Sequence, residues 1–343
     1  METNKLRAEE IVEKALAYGF EKCGIIRLSD LDGYEQAVEE RSRKFPYRDR
    51  RKRTLEEIED LYPWAQSVVV CVWQYGKYDI PPNLEGYVGK YYQVDGRRNE
   101  ESEQFRATRK FQHWLKQQGL RVHEDLEHGV TPYRWAAAKA GLGIVRKNNF
   151  FYTESGSWVL IVTWLIDQPL ELVQQPTLKP CPETCDLCIR ACPTKALAEP
   201  FVTNKDGCIS HLTKDYDWER IDTELLAKTG NWVFGCDVCQ DVCPHNKNKW
   251  QAGQPFPGLD RLSAHFSIKK IVTADYKTLQ KEIQAMLWHI GEDELWKFKM
   301  NALNIMLHNY KPEYAPYIDL AMDDKYKQVR EMAKFVRSKT SGE

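Results

Sequence analysis

Apolar positions in the first half of the chain switch between two periods. Leu6, Ile11, Val12, Ala15 and Leu16 recur at helical spacing and predict an amphipathic helix over 5–19, closed by Gly19. Cys23 to Leu28 reads as a short strand. Ser67 to Tyr75 (SVVVCVWQY) is a β-branched run that predicts a buried strand, with Cys71 inside it. Cys23 and Cys71 read as core thiols. Phe105, Phe111, Trp114 and Leu115 mark a second amphipathic helix over 105–118. Pro132 opens a short helix at the position where proline is tolerated, and Gly141 ends it. Gly156-Ser157 turns into a strand over 158–166. Residues 76–100, with Pro81, Pro82, Gly86, Gly89 and Gly96, read as an ordered loop.

Strands interleaved with helices predict an α+β unit over 1–168. Prolines at 169, 176 and 180 mark a linker that leads into a cysteine block, so a second unit is placed at 169–255. Residues 256–343 read as helical, most clearly over 295–308 and 325–337. FKMNALNIMLHN followed by YKQVREMAKFV fits one HEAT-like hairpin. The order of strands is not legible.

Composition narrows the class. Hydrophobic residues make up 42% and charged residues 29% of 343, as in soluble globular proteins. The 49 basic and 50 acidic residues give a net charge of −1, so a global positive field for nucleic acid is absent. Net charge bears on the global field alone, and a local basic patch is compatible with it. The basic stretch over 41–53 reads as a solvated loop and helix start, with phosphate or RNA contact as the sharper alternative. Neither a secretory leader nor an apolar run of membrane-spanning length is evident. A cytoplasmic, reducing location is expected, where ten cysteines point to metal binding rather than disulfides.

Eight of those cysteines form a pattern: Cys181-x3-Cys185-x2-Cys188-x3-Cys192-Pro193, then Cys208, then Cys236-x2-Cys239-x3-Cys243-Pro244. Two C-x2-C-x3-C-P runs are the signature of a two-cluster ferredoxin unit, in which the cysteine before each proline reaches across to the other cluster. The expected ligands of one [4Fe–4S] cluster are therefore Cys181, Cys185, Cys188 and Cys243. Those of the other are Cys192, Cys208, Cys236 and Cys239. The first spacer is one residue longer than usual at Cys181. Zinc knuckles have no use for the prolines.

A domain-sized stretch precedes the cysteines, so the clusters are expected to feed a second redox centre. There is no GxGxxG after a strand and no GxxxxGK[ST]. His123-Glu124-Asp125-Leu126-Glu127-His128 approximates HExxH with one residue too many, which takes the two histidines off one helical face.

AAAKAGLGIVRKN (136–148), GSW (156–158), GCISHLT (207–213) and GNWVFGCDVCQDVCPHN (230–246) resemble the epoxyqueuosine reductases, relatives of the reductive dehalogenases. GYVGKYY (86–92) falls where that family has a GYVSRY-like segment, and 298–309 resembles its HEAT-like, RNA-contacting end. The resemblance implies an N-terminal α/β-sandwich that binds base-off cobalamin, a two-cluster ferredoxin-like domain and HEAT-like helices. It implies removal of the epoxide oxygen of epoxyqueuosine in tRNA, in a cytoplasmic monomer served by an external donor such as ferredoxin or flavodoxin. Lys147, Asn148, Gly156, Ser157, Ser210 and Asp237 sit in motifs resembling those that line the family's cobalamin pocket. Counting back from Ala140 puts the family's catalytic acid at Glu127, with Asp125 as a neighbouring substitute.

Here the sequence departs from the family. Pro132-Tyr133-Arg134 replaces a Leu-Glu-Arg element, and Gln93-Val94-Asp95-Gly96 replaces Arg-Asp-Tyr-His. Both changes fall at the expected substrate face, which makes Tyr133 a second candidate proton donor. Two competing readings follow: a corrinoid-dependent reductase of a small organic molecule, and a non-enzymatic iron–sulfur electron-transfer protein.

Overall fold

The structure is a computed structural model and describes residues 2–44, 54–124, 130–215 and 223–340. In chain order its strands are β1 (Lys22–Arg27), β2 (Ser67–Gln74), β3 (Val122–His123), β4 (Ile144–Val145), β5 (Phe151–Tyr152), β6 (Val159–Ile166), β7 (Leu197–Glu199) and β8 (Val202–Thr203). The principal sheet runs β1-β2-β6-β3 and is antiparallel throughout. Its centre is buried on both faces, which explains the unbroken apolar run in β2. Val69, Cys71 and Trp73 point into one core, and Val68, Val70 and Val72 into the other.

The Glu2–Ala17 and Glu103–Gln117 helices cover the first face through Ile11, Ala15, Phe111 and Leu115. The Tyr133–Lys139 helix covers the second with Ala136 and Ala137. Cys23 and Cys71 are buried and stand opposite each other in the β1–β2 register. The expected loop over 76–100 contains two short turns, Lys90–Gln93 and Gly96–Arg98.

The AGLG motif is a close backbone crossing. Gly141 has φ +70, and a Cβ there would lie 1.8 Å from the Gln174 carbonyl oxygen. One at Gly143 would lie 2.1 Å from that of Tyr152. Only glycine permits both approaches.

The described residues beyond Gly258 form helices, turns and short connections, with no strand among them. The single expected hairpin is broken by a third helix, Ala315–Ala321, which follows Pro312 and carries Pro316 in its first turn. The Trp296–His308 helix is buried from Trp296 to Met306. Asn301 donates to the carbonyls of Thr213 (2.8 Å) and Val233 (2.9 Å), and Asn304 to that of Leu226 (3.0 Å). This helix is thus a strut behind the cysteine unit. No helix among the described residues is long and apolar enough to cross a membrane.

Candidate redox site

The eight cysteines separate into two sets. Cys188 lies within electrostatic reach of Cys243 and Cys181. Cys239 lies within reach of Cys236, Cys208 and Cys192, and Cys236 within reach of Cys208 and Cys192. Cys243, from the second run, thus sits with the first run, and Cys192 with the second. Burial, reinforced by the neighbouring sulfurs, pushes the Cys208, Cys236 and Cys239 thiols up. Such thiols ionise when cationic metal compensates them. Cys188 and Cys192 are buried beside Ala196 and Leu197, an apolar lining suited to a cubane. Among the described residues no three His, Cys, Asp or Glu converge as a single-ion site does.

The N-terminal unit grips this block from two sides. Lys147 is buried and donates through Nζ to the carbonyls of Pro182 (2.8 Å), Glu183 (2.7 Å) and Cys185 (2.9 Å). Asn148 donates to the Cys239 carbonyl (3.0 Å) and the Tyr152 hydroxyl (2.8 Å). Ser157 meets Gln240 and Asn246, and Gly156 (φ +85) leaves only 2.6 Å between a would-be Cβ and Asn246 Oδ1. On the other side, the Lys90 amide donates to Asp237 Oδ2 (2.7 Å), and the Tyr92 and Ser210 hydroxyls share a 2.7 Å hydrogen bond. Burial pushes the Asp237 carboxyl up to about 7, against the opposing pull of Lys90.

A cavity of about 1750 Å³ opens between the Tyr133–Lys139 helix, residues 201–215 and the Gln284–Glu292 segment. It exceeds the roughly 300–1,000 Å³ of ordinary small-molecule pockets. Its wall carries Arg41, Arg43, Arg97, Arg98, Arg134, Lys205 and Lys214 against Glu40, Asp215 and Glu292. A locally basic mouth thus exists in a chain of net charge −1.

Sequence reasoning missed one cluster in this wall. Asp95 is buried and accepts from Arg97 at 2.7 and 2.9 Å, and His289 Nε2 lies 3.3 Å from it. Arg97 also donates to the Tyr91 hydroxyl. Burial works to raise the Asp95 carboxyl, but Arg97 and His289 outweigh it and hold it well below the usual range. Burial pushes the His289 imidazole down to about 4. A separation of 192 positions leaves no sequence signal for the Arg97–His289 pairing. Trp288 Nε1 and His289 Nδ1 are buried at this wall without a hydrogen-bond partner among the described residues.

Of the residues singled out in the sequence, Tyr133 lines both the large cavity and an adjoining recess of about 320 Å³. Ser157 lines the recess. Lys147, Asn148, Gly156, Ser210 and Asp237 stand behind the described walls, in the contacts just given. Asp125, Glu127 and His128 lie outside the described residues, as do 45–53 of the basic stretch. His123 packs on Tyr62 at 4.3 Å, and Glu124 accepts from Trp164 Nε1.

Comparison with known proteins places this architecture. Residues 181–246 match the 4Fe-4S double cluster binding domain. An epoxyqueuosine reductase of Prochlorococcus marinus is 30% identical over 268 residues, which cover 70% of this chain and 78% of that one. The chain belongs to the epoxyqueuosine reductase family. It is thereby placed among oxidoreductases that bind iron–sulfur clusters, and the reading as a non-enzymatic carrier falls. The Cellulophaga algicola member is 29% identical over 279 residues, 77% of this chain and 87% of its own. In fold, the chain is similar to an epoxyqueuosine reductase crystallised with an epoxyqueuosine-modified tRNA-Tyr stem loop (TM-score 0.80, 23% identity, 96% of this chain and 89% of that one). The family member from Streptococcus thermophilus gives a TM-score of 0.79 at 18% identity, over 98% of this chain and 90% of its own.

Proposed function

We propose that this member of the family reduces epoxyqueuosine to queuosine in tRNA, using two [4Fe–4S] clusters and base-off cobalamin. Removing the epoxide oxygen as water consumes two electrons and two protons and leaves a carbon–carbon double bond. Cys181, Cys185, Cys188 and Cys243 hold one cluster, and Cys192, Cys208, Cys236 and Cys239 the other. The observation that carries the reading is the basic cavity of about 1750 Å³ whose wall includes Lys205, Lys214 and Asp215, which flank Cys208 in sequence.

The cavity suits a corrinoid in size, in its aromatic wall of Tyr91, Tyr92 and Trp288, and in the two buried polar atoms beside it that have no partner among the described residues. Bound there, cobalamin supplies a strongly reducing, nucleophilic metal. Ser157 lines the recess that adjoins that space, while Lys147, Asn148, Gly156, Ser210 and Asp237 act through the loops they hold. The wall cations neutralise phosphates and seat the RNA over the mouth. Tyr133, in the wall, or Glu127 donates the proton that the leaving oxygen requires. An external one-electron donor feeds the clusters of a cytoplasmic monomer. The proposed units are 1–168, 169–255 and 256–343.

Tyr133 in the small recess favours one alternative, a corrinoid-dependent reductase of a small organic molecule. Nucleoside analysis of tRNA from a deletion strain decides between them. Accumulated epoxyqueuosine, cleared by restoring this chain, is expected; unchanged queuosine favours the alternative.

A further inference from the structure

Arg146 is a buried cation in want of an anion. It is 2% exposed, yet no carboxylate pairs with it among the described residues. Its guanidinium lies over the Tyr152 ring at 5.1 Å, and Nη1 donates to the Cys181 sulfur at 3.8 Å. Its Nε is buried and has no acceptor among the described residues. A guanidinium stays protonated in proteins, and an uncompensated buried charge is costly. The next residue, Lys147, is buried too, but three carbonyls satisfy it. For Arg146 the anion at hand is the Cys181 thiolate and the cluster bound by it.

Tyr152 adds a second donor. Its hydroxyl accepts from Asn148 (2.8 Å) and Asn246 (3.4 Å), which leaves its own proton to give, and the Cys243 sulfur is within its reach. Cys181 and Cys243 belong to the same set. The other set is surrounded differently. Among the described residues no guanidinium or ammonium donates to its sulfurs, and the Thr194 hydroxyl lies 3.6 Å from the Cys192 sulfur. Lys214 is within reach of Cys208 but donates to the Tyr92 hydroxyl (2.6 Å). The buried Asp237 carboxyl is within reach of Cys236 and Cys239.

We propose that Arg146, assisted by Tyr152, tunes the potential of the cluster on Cys181, Cys185, Cys188 and Cys243 and makes it the more easily reduced of the two. The inference rests on the two-cluster reading above. Reduction adds one electron to the cluster and makes or breaks no bond. A cation and hydrogen-bond donors beside the ligand sulfurs favour the more negative, reduced form, and a low local dielectric strengthens the effect. The epoxide reaction consumes two electrons, while the external donor gives one at a time. A cluster that fills first and stays filled holds one electron until the second arrives.

The test is a redox titration of anaerobic, fully loaded protein with dithionite as the reductant, followed by electron paramagnetic resonance. Two reduction steps are expected in the wild type. In Arg146→Met the step at higher potential is expected to become at least about 10-fold less favourable, about 59 mV for one electron, while the other step stays in place. Arg146→Lys keeps the charge and is expected to keep most of the separation. Tyr152→Phe is expected to move the same step the same way by less. A single wild-type step, no movement in Arg146→Met, equal movement of both steps, or movement of the lower step alone overturns the proposal. Should Arg146→Met lose iron, Arg146→Gln decides in its place. Loss of iron there too overturns the proposal, because Arg146 would then be a scaffold for the loop. Wild-type protein with far fewer than about eight irons per chain sinks the cluster reading itself, which iron analysis shows before any titration.

Discussion

The Lys147 ammonium lies 2.9 Å from the Cys185 carbonyl oxygen, with the Pro182 and Glu183 carbonyls at 2.8 and 2.7 Å completing its donor set. Three carbonyls from one loop converge on a single buried cation. The loop carrying Cys181 and Cys185 is therefore shaped by the N-terminal unit, and its longer spacer is held by a residue 35 positions away or more. Lys147→Met should leave the second cluster in place and strip or labilise the first. Iron analysis after anaerobic desalting should fall toward about four per chain from about eight. Lys147→Arg should not rescue it, since a planar fork cannot serve three carbonyls arranged for an ammonium. Full iron in Lys147→Met would show that the loop holds itself.

His289 gives the fold an acid-sensitive joint. It contacts Asp95 and Arg97 and faces the Tyr92 ring, with Lys214 also within electrostatic reach. Its imidazole is held down to about 4 from 6.5, first by burial. Below about pH 6.5 the unfolded chain takes a proton that the folded chain refuses. Stability is therefore lost as pH falls from about 6.5 to about 4, by on the order of 3 kcal/mol for this group. The depressed Asp95 carboxyl contributes stability that is lost only at still lower pH. His289→Gln should flatten the drop in melting temperature between about pH 7 and pH 5. An unchanged slope would assign that drop to other groups.

These two sites show where the sequence is readable. Strand and helix positions follow from periodicity because β2 alternates Val69, Cys71, Trp73 against Val68, Val70, Val72, with both faces buried. The crossed cysteine sets follow from spacing because a cubane dictates how far a chain runs between its corners. The sheet order β1-β2-β6-β3 does not follow, because β6 enters between β2 and β3 only after an excursion that no local pattern records. The Asp95–Arg97–His289 cluster has the same cause, since His289 comes from a segment 192 positions beyond Arg97. Lys147 and Asn148 stood out by resemblance as cofactor contacts; their hydrogen bonds to cluster-loop carbonyls appear only in three dimensions.

Gly141 offers a test of the backbone crossing. Gly141→Ala adds both positive-φ strain and a Cβ 1.8 Å from the Gln174 carbonyl oxygen, and backbone on both sides limits relief. Gly230→Ala is the control, with φ +62 and nothing within 4 Å. The control should cost about 1 kcal/mol, and Gly141→Ala about 2 kcal/mol beyond it. Thermal unfolding of the two variants side by side measures the difference. Equal melting temperatures would mean that the linker moves aside freely.

The proton donor is the sharpest remaining test of the cavity. Tyr133 lies in both walls, within electrostatic reach of Tyr91 and Arg97. Asp95 fixes Arg97 through two hydrogen bonds, so the guanidinium near Tyr133 is held in one place. A phenol so placed is available to an oxygen leaving from the cavity. Tyr133→Phe removes the proton without changing the ring, and should lower turnover by about 100-fold or more if this residue donates. Under that assignment Glu127→Gln should keep turnover within a few-fold. The opposite pattern assigns the proton to Glu127, and wild-type turnover in both variants removes both from the chemistry. Cluster absorbance should be unaltered in either variant, because neither side chain belongs to a thiol loop.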